Sequence, residues 1–311
     1  MTISKKLTVS ASGKINLYLN VRKNGRTDGF HDIKSIMQSI SLSDLLNFEV
    51  SHNYAFKPNS ENNGDSNGLS ITSNNIDIPL GTKNLVHKAA LLILKNYNLE
   101  KKYNIRININ KSIPICAGLA GGSTNAAATL VALKTIFNLD ISMDRLLELG
   151  NEVGSDVPFC ISGGTALVEG KGEKISKLPD LPFYWVVLAS NGKKFLSGDV
   201  YDKFDLIGKE KESVHASLVN SLAEQNFDSF FAKLDNDLER AVTIEDKMVG
   251  ILKQKAIELG AFASMMTGSG PTVFAFCEDL VSARKVCQGL TELSDKVFLT
   301  YTIPNSLDII N

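Results

Sequence analysis

The chain has little cysteine, a single tryptophan and no surplus of either charge. Its four cysteines, Cys116, Cys160, Cys277 and Cys287, fall at no zinc-ligand or redox spacing. A chain of 311 residues buries enough surface to fold without disulfide staples, so they read as free thiols in a reducing compartment. Lys and Arg number 33 against 34 Asp and Glu, a net charge of -1, which removes the electrostatic argument for a nucleic-acid or anionic-membrane partner. No stretch is long and apolar enough to span a bilayer. The first residues, MTISKKLTVSASGKINL, have no long apolar core of the export type. The expectation is a cytoplasmic protein. His31, His52, His87 and His215 show no metal-ligand spacing, so no metal held by side chains alone is expected. No repeat recurs at a fixed period.

What remains is an ordinary globular mixture, 43% hydrophobic, sized for two modest domains or one large one. Leu7, Val9 and Ala11 alternate with polar residues, and Ile15, Leu17 and Leu19 do so again after Gly13, which predicts strands. Residues 36–50 predict further strand with a turn near Ser43–Asp44. Residues 51–68, SHNYAFKPNSENNGDSNG, have almost nothing to bury and predict a solvated loop. From Asn84, NLVHKAALLILKNY spaces Leu85, Ala89, Leu92 and Ile93 as a helix. YNIRININ alternates as a half-buried strand, and Pro114 ends it. A glycine loop follows, then helices over NAAATLVALKTIF and 143–153, with Gly154 placed to end the second. The second half predicts a hairpin turning at Gly170-Lys171-Gly172, a buried strand WVVLAS, and mostly helix over 213–240 and 246–259. SMMTGSGPTVFAFC reads as strand, turn and strand, SARKVCQGL as a last helix and VFLTYTI as a last strand. Strand runs mixed with helix pairs point to an α+β fold.

The stretch AGLAGGST at 117–124 sits between a strand and a helix start. The first N–H groups of a helix lack intrahelical partners, and the helix dipole favours negative charge there. Glycines let the backbone approach an anion and take positive φ. Together these make a phosphate cradle. Ser123 and Thr124 are placed to cap the helix, to donate to phosphate oxygens or to help hold Mg²⁺. This is not a Walker A loop, because Ser123 rather than lysine follows Gly122, and no G-x-G-x-x-G is present. On these residues alone an ordinary strand-to-helix turn fits as well. Other residues divide in the same way. Asp156, just past Gly154, either faces a cleft or shapes a turn. Lys14 lies in a cleft or on a solvated edge strand. Gly268, Ser269 and Gly270 line a site or only turn a hairpin. Phe30 is a presented ring or a staple on Ile33.

KSIPICAGLAGGSTNAAATL resembles the phosphate-loop signature of the GHMP small-molecule kinases, which wrap ATP without a Walker lysine. Three further segments resemble that family in the same order. Gly13-Lys14-Ile15-Asn16-Leu17 and Asp28-Gly29-Phe30-His31 are similar to the branch that acts on an alcohol carrying cytidine diphosphate, on the non-mevalonate route to isoprenoid precursors. EVGSDVPFCISGGTALVEGKGE and MMTGSGPTVFAFC are similar to the family's later motifs. The Gly-Glu-His usual in mevalonate kinase and galactokinase near the first motif is absent. The likeness runs from about Ser10 to Cys277. There are departures. Ser12-Gly13 replaces Pro-Ala, Phe30 replaces Tyr, Thr124 replaces Ser, and Ala120 stands where the family usually has Gly. A positive φ at Ala120 would cost about 1–2 kcal/mol.

The resemblance implies a two-domain α+β GHMP kinase fold, with the active cleft between an N-terminal domain, 1–163, and a C-terminal domain, 164–311. It implies ATP as co-substrate with Mg²⁺. The nucleotide loop would be Pro114, Ile115, Cys116, Ala117, Gly118, Leu119, Ala120, Gly121, Gly122, Ser123 and Thr124. Lys14 and Asp156 would be catalytic, Asp156 accepting the hydroxyl proton and Lys14 paired with it. Asn16, Phe30, His31, Ser197, Tyr201, Gly268, Ser269 and Gly270 would bind the acceptor, with Phe30 and Tyr201 holding a cytosine between them and His31 at its edge. The implied partner is a small molecule with a cytidine diphosphate moiety, and a monomer or weak homodimer is expected. Two other readings stay open: a GHMP kinase for a different alcohol, or a GHMP-fold ligand-binding regulator without turnover.

Overall fold

The computed structural model describes residues 4–23, 27–52, 68–100 and 102–310. Most of the segment read as a solvated loop, residues 53–67, lies outside the described residues. The chain opens with two long strands, β1 (Lys5–Val21) and β2 (Ile33–His52), paired antiparallel. Gly13 does not end a strand, and Ser43–Asp44 is not a turn. The ladder is offset instead: Ser12 faces Ser43 and Lys14 faces Ser39, so three residues of β2 stand opposite one of β1. A bulge of this kind bends a strand pair without ending it, and it breaks the alternation from which the turn was expected. Asp44 is fully buried there. Gly13 lets the neighbouring loop lie close, since a Cβ on it would meet the Leu119 carbonyl oxygen at 3.3 Å.

β3 (Leu69–Ser73) and β4 (Tyr103–Asn110) extend this sheet beyond β2. β4 buries Ile105, Ile107 and Ile109 and exposes the residues between, as its alternation predicts. Helices α1 (Leu85–Asn96), α2 (Gly121–Phe137), α3 (Met143–Val153) and the short α4 (Val157–Ser162) pack with it. Asn84 caps α1 by accepting from the Val86 N–H, and Ser142 caps α3 through Arg145 N–H. Ala126, Ala127 and Ala128 are fully buried, and their small side chains let α2 lie close against β1. The expected hairpin forms from β5 (Thr165–Gly170) and β6 (Lys174–Lys177), and β5 pairs with β2.

The rest of the chain is β7 (Trp185–Ser190), α5 (Ser197–Ile207), α6 (His215–Ala223), α7 (Phe227–Phe231), β8 (Asp235–Asn236), α8 (Glu239–Thr243), α9 (Met248–Glu258), β9 (Ala263–Met266), β10 (Val273–Cys277), α10 (Leu280–Thr291), β11 (Lys296–Tyr301) and β12 (Leu307–Ile310). β11, β7, β10 and β9 form a four-stranded antiparallel sheet in that order. The helix expected over 213–240 is instead two short helices followed by β8, which runs parallel to β1 at Tyr18 and Leu19. β11 is not the last strand. β12 returns to pair with β1, and its four residues are too few to show a periodic signal.

Helices and mixed strands in these two sheets make the fold α+β, as expected. Residues beyond 163 supply β5, β6, β8 and β12 to the first sheet, so a division at 163/164 falls inside it. A shared apolar cluster joins the sheets, linking Ile15, Leu17 and Ile40 to Phe230, Phe274 and Phe276. Each of those buried rings is worth about 1.5–3 kcal/mol of burial, which fixes β1 against the β9–β10 turn. Among the described residues no helix is long and apolar enough to cross a membrane.

Candidate active site

A cavity of about 520 Å³ opens between the sheets, a size typical of small-molecule sites. The glycine loop forms one wall. Pro114 through Ser123 all line it, whereas Thr124 is fully buried beside Cys160. The N-cap of α2 is Ala120, with φ 55° and ψ 28°, and no side chain caps the helix. Ser123 and Thr124 therefore do not serve as caps. The positive end of the helix is left open toward the cavity. Ala120 and Cys116 both adopt the left-handed conformation. Gly118 has to be glycine: its φ is 74°, and a Cβ would collide with the Thr267 carbonyl oxygen. The loop is tied down at two inner points. Lys14 N–H donates to Leu119 O at 3.2 Å, and Thr267 Oγ1 donates to Gly118 O at 3.3 Å while accepting from Asn16 N–H at 2.9 Å.

The bulge in the β1–β2 pair places Lys14 at the cavity wall with only 4% exposure, which removes the solvated-lysine reading. Its Nζ donates to Asn16 Oδ1 at 2.6 Å and lies 3.7 Å from Asp156 Oδ2. Asn16 is itself held, because its Nδ2 donates to Ser35 Oγ at 2.8 Å and that hydroxyl donates to Tyr18 O at 2.6 Å. Asp156 is the residue before α4, but its side chain makes no capping bond. Its carboxylate is about one-third exposed and lines the cavity. An open helix start beside an ammonium suits a phosphate, and the nearby carboxylate suits the proton of a hydroxyl.

Asn16, Ser197, Tyr201, Gly268 and Ser269 reach the same cavity. Ser197 Oγ and Ser269 Oγ stand 2.9 Å apart and close the wall between α5 and the β9–β10 turn. Burial pushes the Tyr201 phenol well above its usual range, and the Asp156 charge adds to the shift. The ring of His31 packs on Tyr201, centroids 4.9 Å apart, and its Nε2 meets Asp205 Oδ1 at 3.0 Å. His31, Phe30 and Gly270 do not line the cavity. Phe30 is half exposed, with the Lys171 ammonium 5.1 Å from its ring centroid, so the structure does not bring Phe30 and Tyr201 together as a clamp.

The GHMP kinases N terminal domain matches residues 84–164, and the GHMP kinases C terminal domain matches residues 218–295. A 4-diphosphocytidyl-2-C-methyl-D-erythritol kinase from Clostridium acetobutylicum is 37% identical over 297 residues, 96% of this chain and 100% of the relative. The chain belongs to the 4-diphosphocytidyl-2-C-methyl-D-erythritol kinase family of GHMP kinases. A relative of the same name from Listeria innocua is 35% identical, covering 94% of this chain and 95% of its own. A crystal structure of 4-(cytidine 5'-diphospho)-2C-methyl-D-erythritol kinase matches with a TM-score of 0.74 at 26% identity, over 96% of this chain and 99% of that one. A homoserine kinase from Cytophaga hutchinsonii reaches the same TM-score, 0.74, at 17% identity over 98% and 97% of the two chains. Shape alone therefore does not separate acceptors among GHMP kinases.

The cavity of this GHMP kinase also includes residues that the motifs did not mark. Asn84, Lys111, Asp77 and Phe195 line it. Lys111 Nζ donates to Asp44 Oδ2 at 2.6 Å in a buried pair. Burial lowers the Lys111 pKa, and the Asp44 charge opposes that shift. Its one sequence signal was a lysine between a strand and Pro114. Lys194 meets Asp77 at 2.9 Å, linking the segment before α5 to the segment before α1. Two distant loops carry that pair, and no local pattern announces it.

Magnesium prefers oxygen ligands, keeps several waters, and takes one or two carboxylates together with substrate phosphates. The cavity wall offers the Asp156 carboxylate, the Ser123 hydroxyl and Asn125 Oδ1, which is buried without a hydrogen-bond partner. This donor set fits a hydrated ion bridged to phosphate. Among the described residues no group of three or more His, Cys, Asp or Glu side chains gathers to cage a metal, so phosphates and water would complete the shell.

Proposed function

We propose that this kinase transfers the γ-phosphoryl group of ATP to the 2-hydroxyl of 4-diphosphocytidyl-2-C-methyl-D-erythritol, a step on the non-mevalonate route to isoprenoid precursors. The observation that carries the reading is the Lys14–Asp156 pair, 3.7 Å apart, on the same cavity as the uncapped start of α2. Backbone N–H groups between Ile115 and Ser123 hold the phosphates, and the helix dipole supplies charge that a Walker lysine supplies elsewhere. Ser123, Asn125 and Asp156 would hold Mg²⁺, whose charge would offset that of the phosphates. Asp156 accepts the proton of the attacking hydroxyl, a role that contributes about 10²–10⁴-fold. The new oxygen–phosphorus bond forms as the bond to the ADP oxygen breaks, and Lys14 stabilises the negative charge that develops. Asn16 keeps Lys14 in place.

Asn16, Ser197, Gly268 and Ser269 shape the acceptor side. Tyr201 stacks on the cytosine with His31 behind it, and Phe30, off the cavity wall, takes no part in the stack. We take a cytoplasmic monomer or weak homodimer as the working form. Coupled ADP release tests the proposed transfer. Purified protein should turn over the cytidyl alcohol and leave homoserine and mevalonate untouched. Activity on either of those with none on the cytidyl alcohol would refute the acceptor assignment. Failure to release ADP with the cytidyl alcohol present, and with either of the other alcohols, would favour a ligand-binding regulator without turnover.

A further inference from the structure

Asp44 takes no part in the transfer described above, yet its side chain is completely buried. Its carboxylate accepts three bonds from one short stretch. Oδ2 accepts from Lys111 Nζ at 2.6 Å, and Oδ1 accepts from the N–H groups of Ser112 at 2.7 Å and Ile113 at 2.8 Å. Those residues lead straight into Pro114, where the nucleotide loop begins. Bonds to an ionised group are shorter and stronger than neutral ones. A buried ion pair is nevertheless a weak source of stability, since apolar replacements often do as well. The pair calls for another reason to be there.

The geometry supplies one. Lys111 Nζ lies so close under α2 that a Cβ on Gly121, the first residue of that helix, would sit 2.5 Å from it. One carboxylate thus grips the start of the loop, and the lysine it holds abuts the loop's end. Between those points Cys116 and Ala120 are left-handed, a conformation that persists in L-residues only where the surroundings over-determine it. Asp44 also sits opposite Ala11, one step from the bulge that presents Lys14. A single distortion of the β1–β2 pair therefore sets both the strand lysine and the anchor of the loop.

We propose that Asp44 is the positioning residue of the nucleotide loop, holding its start through Ser112 and Ile113 and its end through Lys111, at the spacing that aims the loop's N–H groups at phosphate. This rests on the reading of that loop as the nucleotide site and is independent of which alcohol is the acceptor. Removing Asp44 also leaves the Lys111 ammonium buried with nothing to offset its burial.

The test varies each substrate in steady-state kinetics and titrates ATP with Mg²⁺ directly by calorimetry, on protein shown to be folded by thermal melting. Asp44→Ala loses all three bonds. It should raise KM and Kd for ATP about ten- to hundredfold while acceptor KM moves no more than about twofold. Asp44→Asn keeps an acceptor for the two N–H groups and should recover part of that loss. Equal shifts in both KM values, or unchanged ATP affinity in a folded variant, would overturn the proposal. Should Asp44→Ala not fold, hydrogen exchange decides: the Ser112 and Ile113 amides should exchange slowly in nucleotide-free wild type and faster in Asp44→Asn. Exchange at the rate of an exposed loop in wild type would overturn it. A wrong acceptor assignment leaves the ATP titration unaffected, whereas a wild type that binds no ATP would refute the nucleotide-site reading itself.

Discussion

A methyl group on Gly118 is the smallest change that tests how the two lobes set the nucleotide loop. The residue lies at φ 74°, a region that costs an L-residue about 1–2 kcal/mol. The steric conflict is larger. The added Cβ would overlap the Thr267 carbonyl oxygen and lie 3.2 Å from its carbon and 3.3 Å from Gly270 N. All three are backbone atoms. Asn236 pins that turn from behind, with Nδ2 donating to Met266 O at 2.8 Å and to Gly268 O at 2.9 Å. The turn is held, so the loop must give way, by about 1 Å if an ordinary contact distance is to be restored. The Thr267–Gly118 bond is lost in the same movement. A misplacement of that size in a positioning element is worth about 10²-fold in rate, and overpacking destabilises by about 1–3 kcal/mol. Gly118→Ala should therefore lower kcat/KM for ATP about 10²-fold, with a measurable fall in Tm. ADP release with ATP varied at saturating acceptor reads the first, and a thermal melt of the same sample reads the second. Wild-type kcat/KM for ATP in this variant would refute the claim that the loop is wedged against the turn, whatever happens to Tm.

Asp156→Asn should keep fold and ATP affinity but remove most turnover, and near-full kcat would make the carboxylate structural. Lys14→Met should lower kcat more than it weakens ATP binding; a loss confined to ATP affinity would mean that the lysine only holds nucleotide. Ala120→Gly relieves a left-handed alanine but adds freedom to the unfolded chain, about 0.4–1 kcal/mol, so Tm should hold or rise slightly with ATP kinetics unchanged. A large loss of ATP affinity would show that the Ala120 methyl has a role in the loop. Tyr201→Ala should raise KM for the cytidyl alcohol by about one to two decades, the scale of a lost base–aromatic stack. A change confined to KM for ATP would assign the ring to the other nucleotide.

The parts of the site that sequence could show are those whose chemistry is local. A loop of small residues ahead of an alanine-rich helix declares its backbone, and Gly118 and Gly121 lie where close approach requires them. The Gly170–Gly172 turn, the α1 cap at Asn84 and the alternation of β4 also depend on neighbours in sequence. Asp44 shows the limit. Its meaning comes from Lys111, Ser112 and Ile113, which no pattern within 36–50 can reveal, and the bulge beside it imitates a turn. Thr124 was expected at the phosphates because hydroxyls at helix starts often cap. Here the helix begins one turn earlier than a Thr124 cap would require, and the side chain faces the core. Phe30 and Tyr201 were read as equals, but only Tyr201 is fixed on a helix that borders the cavity. Phe30 sits in a turn whose position follows from nothing nearby in sequence.

β12 pairs Thr8 with Ile310 and Ala11 with Leu307, while β8 closes β1 further along at Tyr18 and Leu19. The strand that carries Lys14 is therefore bordered on one side by segments made long after it. At about 5–20 residues per second, β1 waits on the order of 15–60 s for β12 to appear. Through that interval its hydrogen-bonding edge is open, and an open edge is a template for a neighbouring chain. Crowded nascent chains of this kinase on one message would present matching edges to each other. The same stitching that makes the active strand rigid in the finished enzyme makes its biogenesis sensitive to translation speed and to chaperones that shield edges.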